Sequence, residues 1–281
     1  MVARLARGGL VRNRIRASAE IVAVAGAGGV TRLPVLASQV PLVLRRTPES
    51  VYLVGGAAGP LGGDSLTLRV AVGAGAFLRV RTAAASIALP GLDGLESVLR
   101  VTVTVADGGR FEYLPEPVVV AAGARHATLV SVTLAAGASL VLRDEVLLGR
   151  HGEAGGTARS ELRVNYAGRP LLRQSLSVSG TDPASLGPAV LAGHRAIGTL
   201  LRAGDACGAG GSGAGGGSVG GPPGSGSPGD GLPGDGLPGL AGRGGGPPTV
   251  AVMPLAGPGV LVTALADDAV TLRRRLERGA G

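Results

Sequence analysis

No lysine occurs anywhere in this 281-residue chain, so all 27 of its basic residues are arginine. A P-loop lysine, a Schiff-base lysine and a Ser-Lys pair are thereby excluded, and several NTPase and hydrolase classes go with them. Tryptophan is absent too, and there are only two Phe and three Tyr. Proteins that read single strands or RNA stack bases on aromatic platforms, so a formal charge of +8 does not by itself point to nucleic acid. The lone cysteine, Cys207, leaves no intramolecular disulfide and no need for an oxidising compartment, and a cytoplasmic setting is expected. No uncharged apolar run reaches the roughly 18 residues of a membrane-spanning helix, so no membrane partner is expected. The stretch Met1 to Val30 places arginines before a short apolar run, as an export signal would, but Ile15-Arg16 and Glu20-Ile21 read as alternation entering strands.

What the chain does have is aliphatic: hydrophobic residues make up 45% of it, overwhelmingly Val, Leu and Ala, which suits a β-rich core. From Ile21 to Val178 short Val/Leu runs are punctuated by Gly, Ala-Gly or Asp-Gly. Three segments share one form: Val70 to Leu78, Val120 to Leu129 and Leu134 to Leu142 each run a strand into a Gly-Ala turn and out again. Asp107-Gly108-Gly109 does the same between Val101–Val105 and Phe111–Leu114. Recurring units of this kind predict a mainly β fold with β-helix-like, stacked-strand architecture or a sandwich. Pro115 and Pro117 flank Glu116 and would break ladder pairing, so a kink or sheet edge is expected there. The arginines at alternate positions, Arg12, Arg14, Arg16 and Arg79, Arg81, fit solvent faces of strands, with an acidic protein partner as the other reading.

Helical signals come late. Asp182-Pro183 followed by Ala184 to Leu201 predicts an N-capped helix, and Thr271 to Glu277 a short Arg-rich one. Between them Gly204 to Pro248 is almost pure Gly, Pro, Ser and Ala, a composition that predicts a disordered insertion. The organisation expected is a β-rich core over 1–203, the insertion over 204–248, and a strand and short helix over 249–281 completing the core.

A search for catalytic chemistry finds little. Gly216-Gly-Ser218-Val-Gly220 matches a nucleophile elbow, but inside the Gly-rich tract no strand-to-helix turn would hold the serine. His126, His151 and His194 share no ligand spacing with one another or with Cys207. Carboxylates are more suggestive: Asp144-Glu145 follows a strand, and Gly149-Arg-His-Gly-Glu153 forms a tight turn that reads either as an exposed ion pair or as metal-binding.

In order along the chain, several motifs together carry a resemblance. They are Gly59-Pro-Leu-Gly-Gly-Asp64, Val80-Arg-Thr-Ala-Ala-Ala-Ser86, Phe111-Glu-Tyr-Leu-Pro-Glu-Pro-Val118, Asp144-Glu145 with Gly149–Glu153, Leu186 to Leu201, and Leu261 to Leu276. With these the sequence resembles the urease accessory protein UreD (UreH) family over nearly all of the chain except Gly204 to Pro248. The Thr-rich stretch of that family is poorer in hydroxyls here, and its Gly-Arg turn is one residue shorter. The resemblance implies a non-enzymatic maturation chaperone that binds UreF, through it UreG, and apo-urease, and that passes nickel through an internal passage. Oxygen ligands that let an ion leave suit such a conduit, with Ni2+ transient and no cofactor tightly bound. On that basis Asp64, Glu116, Asp144, Glu145 and Glu153 are the candidate transient nickel contacts. Two other readings stand beside it: a structural β-solenoid or protein-interaction module without a metal role, and an Arg-rich nucleic-acid binder.

Overall fold

The computed structural model describes residues 14–205 and 249–280. Along the chain, β1 (Arg16–Ala25) is flanked by β2 (Thr31–Ser38), and β3 (Leu42–Arg46) and β4 (Val51–Gly55) form a hairpin. Repeating coils follow: β5 (Ser65–Val72), β6 (Phe77–Thr82) and β7 (Ser86–Ala88); then β8 (Ser97–Val105), β9 (Arg110–Leu114) and β10 (Val118–Val120). Next come β11 (Arg125–Leu134) and β12 (Ser139–Leu148), then the antiparallel pair β13 (Thr157–Tyr166) and β14 (Arg169–Ser179). A four-residue α1 (Pro183–Leu186) precedes β15 (Ala196–Gly204), and β16 (Val250–Pro254), β17 (Gly259–Ala266) and α2 (Ala269–Ala280) end the described chain.

The coils stack into two facing sheets. One has the order β14-β13-β11-β8-β5-β1-β2; the other runs β16-β17-β15-β12-β9-β6-β4-β3, with β7 and β10 joined to its flank. The fold is therefore mainly β, a solenoid of stacked coils with a C-terminal helix, as the strand-and-turn pattern predicts. Alternation fills its interior. Leu68, Val101, Val130 and Leu162 stand in one row across β5, β8, β11 and β13, and Val70, Val103, Val132 and Val164 in the next. Parallel neighbours in register place like branched side chains above one another, facing Leu78, Val80, Phe111, Leu140 and Leu142 of the second sheet. The turns stack as well: Gly75, Gly108 and Gly137 all adopt positive φ, 64, 62 and 76°, at the same step of successive coils. A side chain there would strain every layer of the turn column.

The helix expected from Ala184 to Leu201 is a correction. Asp182 does cap it, accepting from the backbone N–H of Ala184 and of Ser185 at 3.2 Å each, but the helix ends at Leu186. Gly187-Pro188 stops it, since proline supplies no N–H and restricts the residue before it. Ala196–Gly204 is instead a strand, claimed by β12 on one side and β17 on the other. The helix expected at Thr271–Glu277 is present and longer, as α2. Gly204, placed in the insertion by composition, still belongs to β15: its N–H donates to Pro258 O at 2.8 Å. Residues 206–248 of the Gly-rich tract, with Ser218 and Cys207, and Arg12 lie outside the described residues. Among the described residues no helix is long and apolar enough to cross a membrane.

Candidate functional site

The second sheet is interrupted. β6 stops at Thr82 and resumes as β7 at Ser86; β9 stops at Leu114 and resumes as β10 at Val118. Pro115 and Pro117 account for the second gap, because neither can donate to a ladder; the first gap is Ala83-Ala84-Ala85. β12 runs past the gap unbroken. Leu142 pairs with Tyr113 and Val146 with Val118, so residues 143–145 lie beside 114–117 with no regular pairing. Arg143 satisfies the carbonyls the break leaves, its Nη2 donating to Pro115 O at 2.9 Å. The Thr82 hydroxyl accepts from the Glu116 N–H at 2.8 Å and ties the two breaks together.

Behind the break lies a cavity of about 330 Å³ between the sheets. Its walls are apolar, with Leu42, Leu53, Leu66 and Leu99, and its polar groups are Tyr113, His126, Thr128 and Asp144; Thr82–Ser86, Glu116 and Glu145 line it at the breaks. Asp144 shares the inner face of β12 with Leu140, Leu142 and Val146. It accepts from Ser160 Oγ at 2.5 Å. Burial raises its carboxyl above the usual range, against the pull of the Ser160 hydrogen bond. His126 is 3% exposed, with Nδ1 2.9 Å from Ser97 Oγ and Nε2 3.4 Å from Thr128 Oγ1. Burial lowers its pKa to about 4, so the imidazole is neutral near pH 7. Burial raises the Tyr113 phenol also.

The five carboxylates singled out in the sequence separate by place. Asp144 and Glu145 are neighbours in β12 but point to opposite sides of the sheet, as strand alternation requires. Glu145 is fully buried on the outer side beneath α2, 2.6 Å from Arg273 Nη2 and 3.4 Å from Arg143 Nε. Glu116 joins it from the break, 3.0 Å from Arg273 Nη2. These three are brought together around the break. Asp64 is not: it is buried in a turn, where its two oxygens accept the N–H groups of Ile15 and Leu61 at 2.9 Å each. Glu153 lies in an exposed turn, bidentate with Arg150 at 2.8 and 2.9 Å, and that pairing lowers its pKa to about 2. Neither is on the cavity wall.

Sequence reasoning passed over His126, Thr128, Ser160, Arg143 and Arg273 as members of the site. For His126 and Thr128 a signal existed: they continue the inward set Val130, Val132, Leu134 at every second residue, so polar side chains had to enter the interior. Arg273 is 128 residues from Glu145 and had none. Ser97 and His126 resemble a nucleophile and base, but the Ser97 side chain is wholly buried, off the cavity wall, and its hydroxyl also donates to Arg125 O. Among the described residues no three His, Cys, Asp or Glu side chains are placed to cage a metal ion.

The model of the UreD urease accessory protein family matches residues 16–280. A urease accessory protein UreD from Parafrankia sp. is 42% identical over 96% of this chain and 89% of its own length. One from Frankia alni is 41% identical over 94% and 92%, and the UreD 3 protein of Streptomyces griseus subsp. griseus is 42% identical over 94% and 95%. The agreement spans both sheets, the broken strands and α2, and on it the chain belongs to the UreD urease accessory protein family.

Proposed function

We propose that this chain is a non-catalytic chaperone of urease maturation that carries nickel through its interior toward apo-urease, in a cytoplasmic complex with UreF and, through it, UreG. The observation that carries the reading is the cavity behind the broken sheet, whose lining brings Asp144, Glu116 and Glu145 together with one neutral imidazole and hydroxyls rather than a His/Cys cage. Oxygen ligands hold a borderline cation such as Ni2+ weakly and release it, which suits cargo in transit. At about 330 Å³ the space is many times the roughly 30 Å³ share of one water, so an ion can keep part of its hydration shell. Asp144 is the carboxyl on the inner face of β12; burial raises its pKa, and a dication beside it would favour the ionised form.

The test is co-expression of Asp144→Asn, Glu116→Gln and Glu145→Gln with urease and its partners, with Glu153→Gln as the off-cavity comparison. Nickel per urease active site is measured after pull-down shows the complex intact. Asp144→Asn is expected to lower nickel loading about ten-fold, the scale on which a metal-contacting network is felt, while Glu153→Gln leaves it unchanged. Full loading with Asp144→Asn would leave a protein-interaction module without a metal role.

A further inference from the structure

A second recess, about 310 Å³, lies on the outer side of the same break, lined by Glu116, Ala269, Val270, Arg273, Arg274 and Glu277. It shares Glu116 with the cavity, whose lining also includes Glu145, and two arginines pair with these carboxylates: Arg143, 3.7 Å from Glu116 and 3.4 Å from Glu145, and Arg273. Arg273 Nη2 lies 3.0 Å from Glu116 and 2.6 Å from Glu145, and Nη1 and Nε complete forks to each carboxylate at 3.2 and 3.3 Å. We propose that Arg273 is a latch: its side chain closes a second mouth of the cavity through the broken sheet, and a dication moving outward displaces it from Glu116 and Glu145. This rests on the nickel-carrying reading above.

Three features of the bridge fit a part that moves without unfolding its surroundings. The helix has its own anchors: Leu272 and Leu276 are buried, Arg275 holds Leu265 O, and Asp268 accepts from Thr271 N at 2.8 Å. A swing of one side chain therefore suffices. Arg273 is part-exposed, at 27%, and has solvent to swing into, whereas Arg143 is fixed at 6% exposure by its bond to Pro115 O. Arg143 also keeps Glu145 from being left as a lone buried charge, the state that would make opening prohibitive. Its Nε, 3.4 Å from Glu145, has no hydrogen-bond partner, so the fixed arginine has capacity to take up the carboxylate when Arg273 leaves.

Competition for the same two carboxylates gives the test its sign. Ni2+ affinity of the full-length chain is measured by calorimetry for wild type, Arg273→Met and Arg273→Lys, with thermal melting to show that each is folded. Removing the competing guanidinium should tighten Ni2+ binding about ten-fold in Arg273→Met, with Arg273→Lys in between, and Glu145→Gln added to Arg273→Met should abolish the gain. A merely structural ion pair would leave affinity unchanged or weaken it, and either result overturns the latch. If Asp144→Asn blocks nickel loading of urease while Arg273→Met and Arg273→Lys bind Ni2+ as wild type does, the latch falls and carriage stands. If Asp144→Asn is silent while Arg273→Met binds more tightly, carriage past Asp144 falls, and what stands is displacement of Arg273 by a cation at Glu116 and Glu145.

Discussion

At the scale of the residue, His126 sets a pH response of definite sign. Its pKa is lowered to about 4 by burial, from 6.5 in the open chain. Between those values the unfolded chain binds a proton that the folded one refuses, so its contribution is level above about pH 6.5 and is lost on acidification. The loss runs at roughly 1.4 kcal/mol per pH unit down to about 4. Asp144 acts oppositely, because its raised carboxyl takes up a proton more readily in the folded state, so its burial penalty lifts as pH falls through the folded pKa. Only a variant that removes one term can separate them. His126→Gln keeps a partner for Ser97 and Thr128, and its melting temperature is expected to hold level against wild type down to about pH 6.5 and to gain on it from there to pH 5. A difference that stays constant over that range would show that the imidazole protonates inside the fold.

At the scale of the element, α2 sits close to the sheet because β15 offers it a glycine. A Cβ on Gly198 would come within 3.1 Å of Leu272 Cδ2, Leu276 Cδ1 and Asp144 O. Leu272 and Leu276 are at most 1% exposed there, packed with Leu200, Val262 and Ala264. Gly198→Val should therefore push the helix outward at a cost of about 1–3 kcal/mol, the usual penalty for overpacking. Urea unfolding measures it. An unchanged midpoint would mean that helix and sheet yield without loss, and that the seat of Arg273 over the break is loose.

At the scale of the whole molecule, the coils give each strand its hydrogen bonds from the layers beside it, and β15 and β16 are both held by β17 or β12 rather than by each other. Replacing 206–248 by a short Gly-Ser linker should leave the melting temperature unchanged, since loop length enters stability only logarithmically. The register sets the minimum length. Val250 pairs with Ala264, which pairs with Gly198, whereas the tract leaves β15 beyond Gly204. That offset along the strand is about 20 Å, so a linker of roughly ten residues is needed. Loss of folding with such a linker would show that the tract packs against the coils.

The sequence by itself determined the β class, the strand-turn-strand units and the turn glycines, because period-two alternation and positive φ are local demands that each segment states for itself. It also marked the break, since Pro115 and Pro117 cannot join a ladder wherever they are placed. Tertiary structure decided which side chains meet at the break. The alternation that made Asp144 and Glu145 look like one acidic pair puts them on opposite sides of a sheet, one toward His126 and the other toward Arg273. It also overruled the capped start at Asp182: Gly187-Pro188 ended the helix, and Ala196–Gly204 found two strand partners, β12 and β17, that lie far away in the chain. The cavity, its neutral histidine and its latch come from contacts between residues tens to more than a hundred positions apart, and only the register of the stacked coils brings those together.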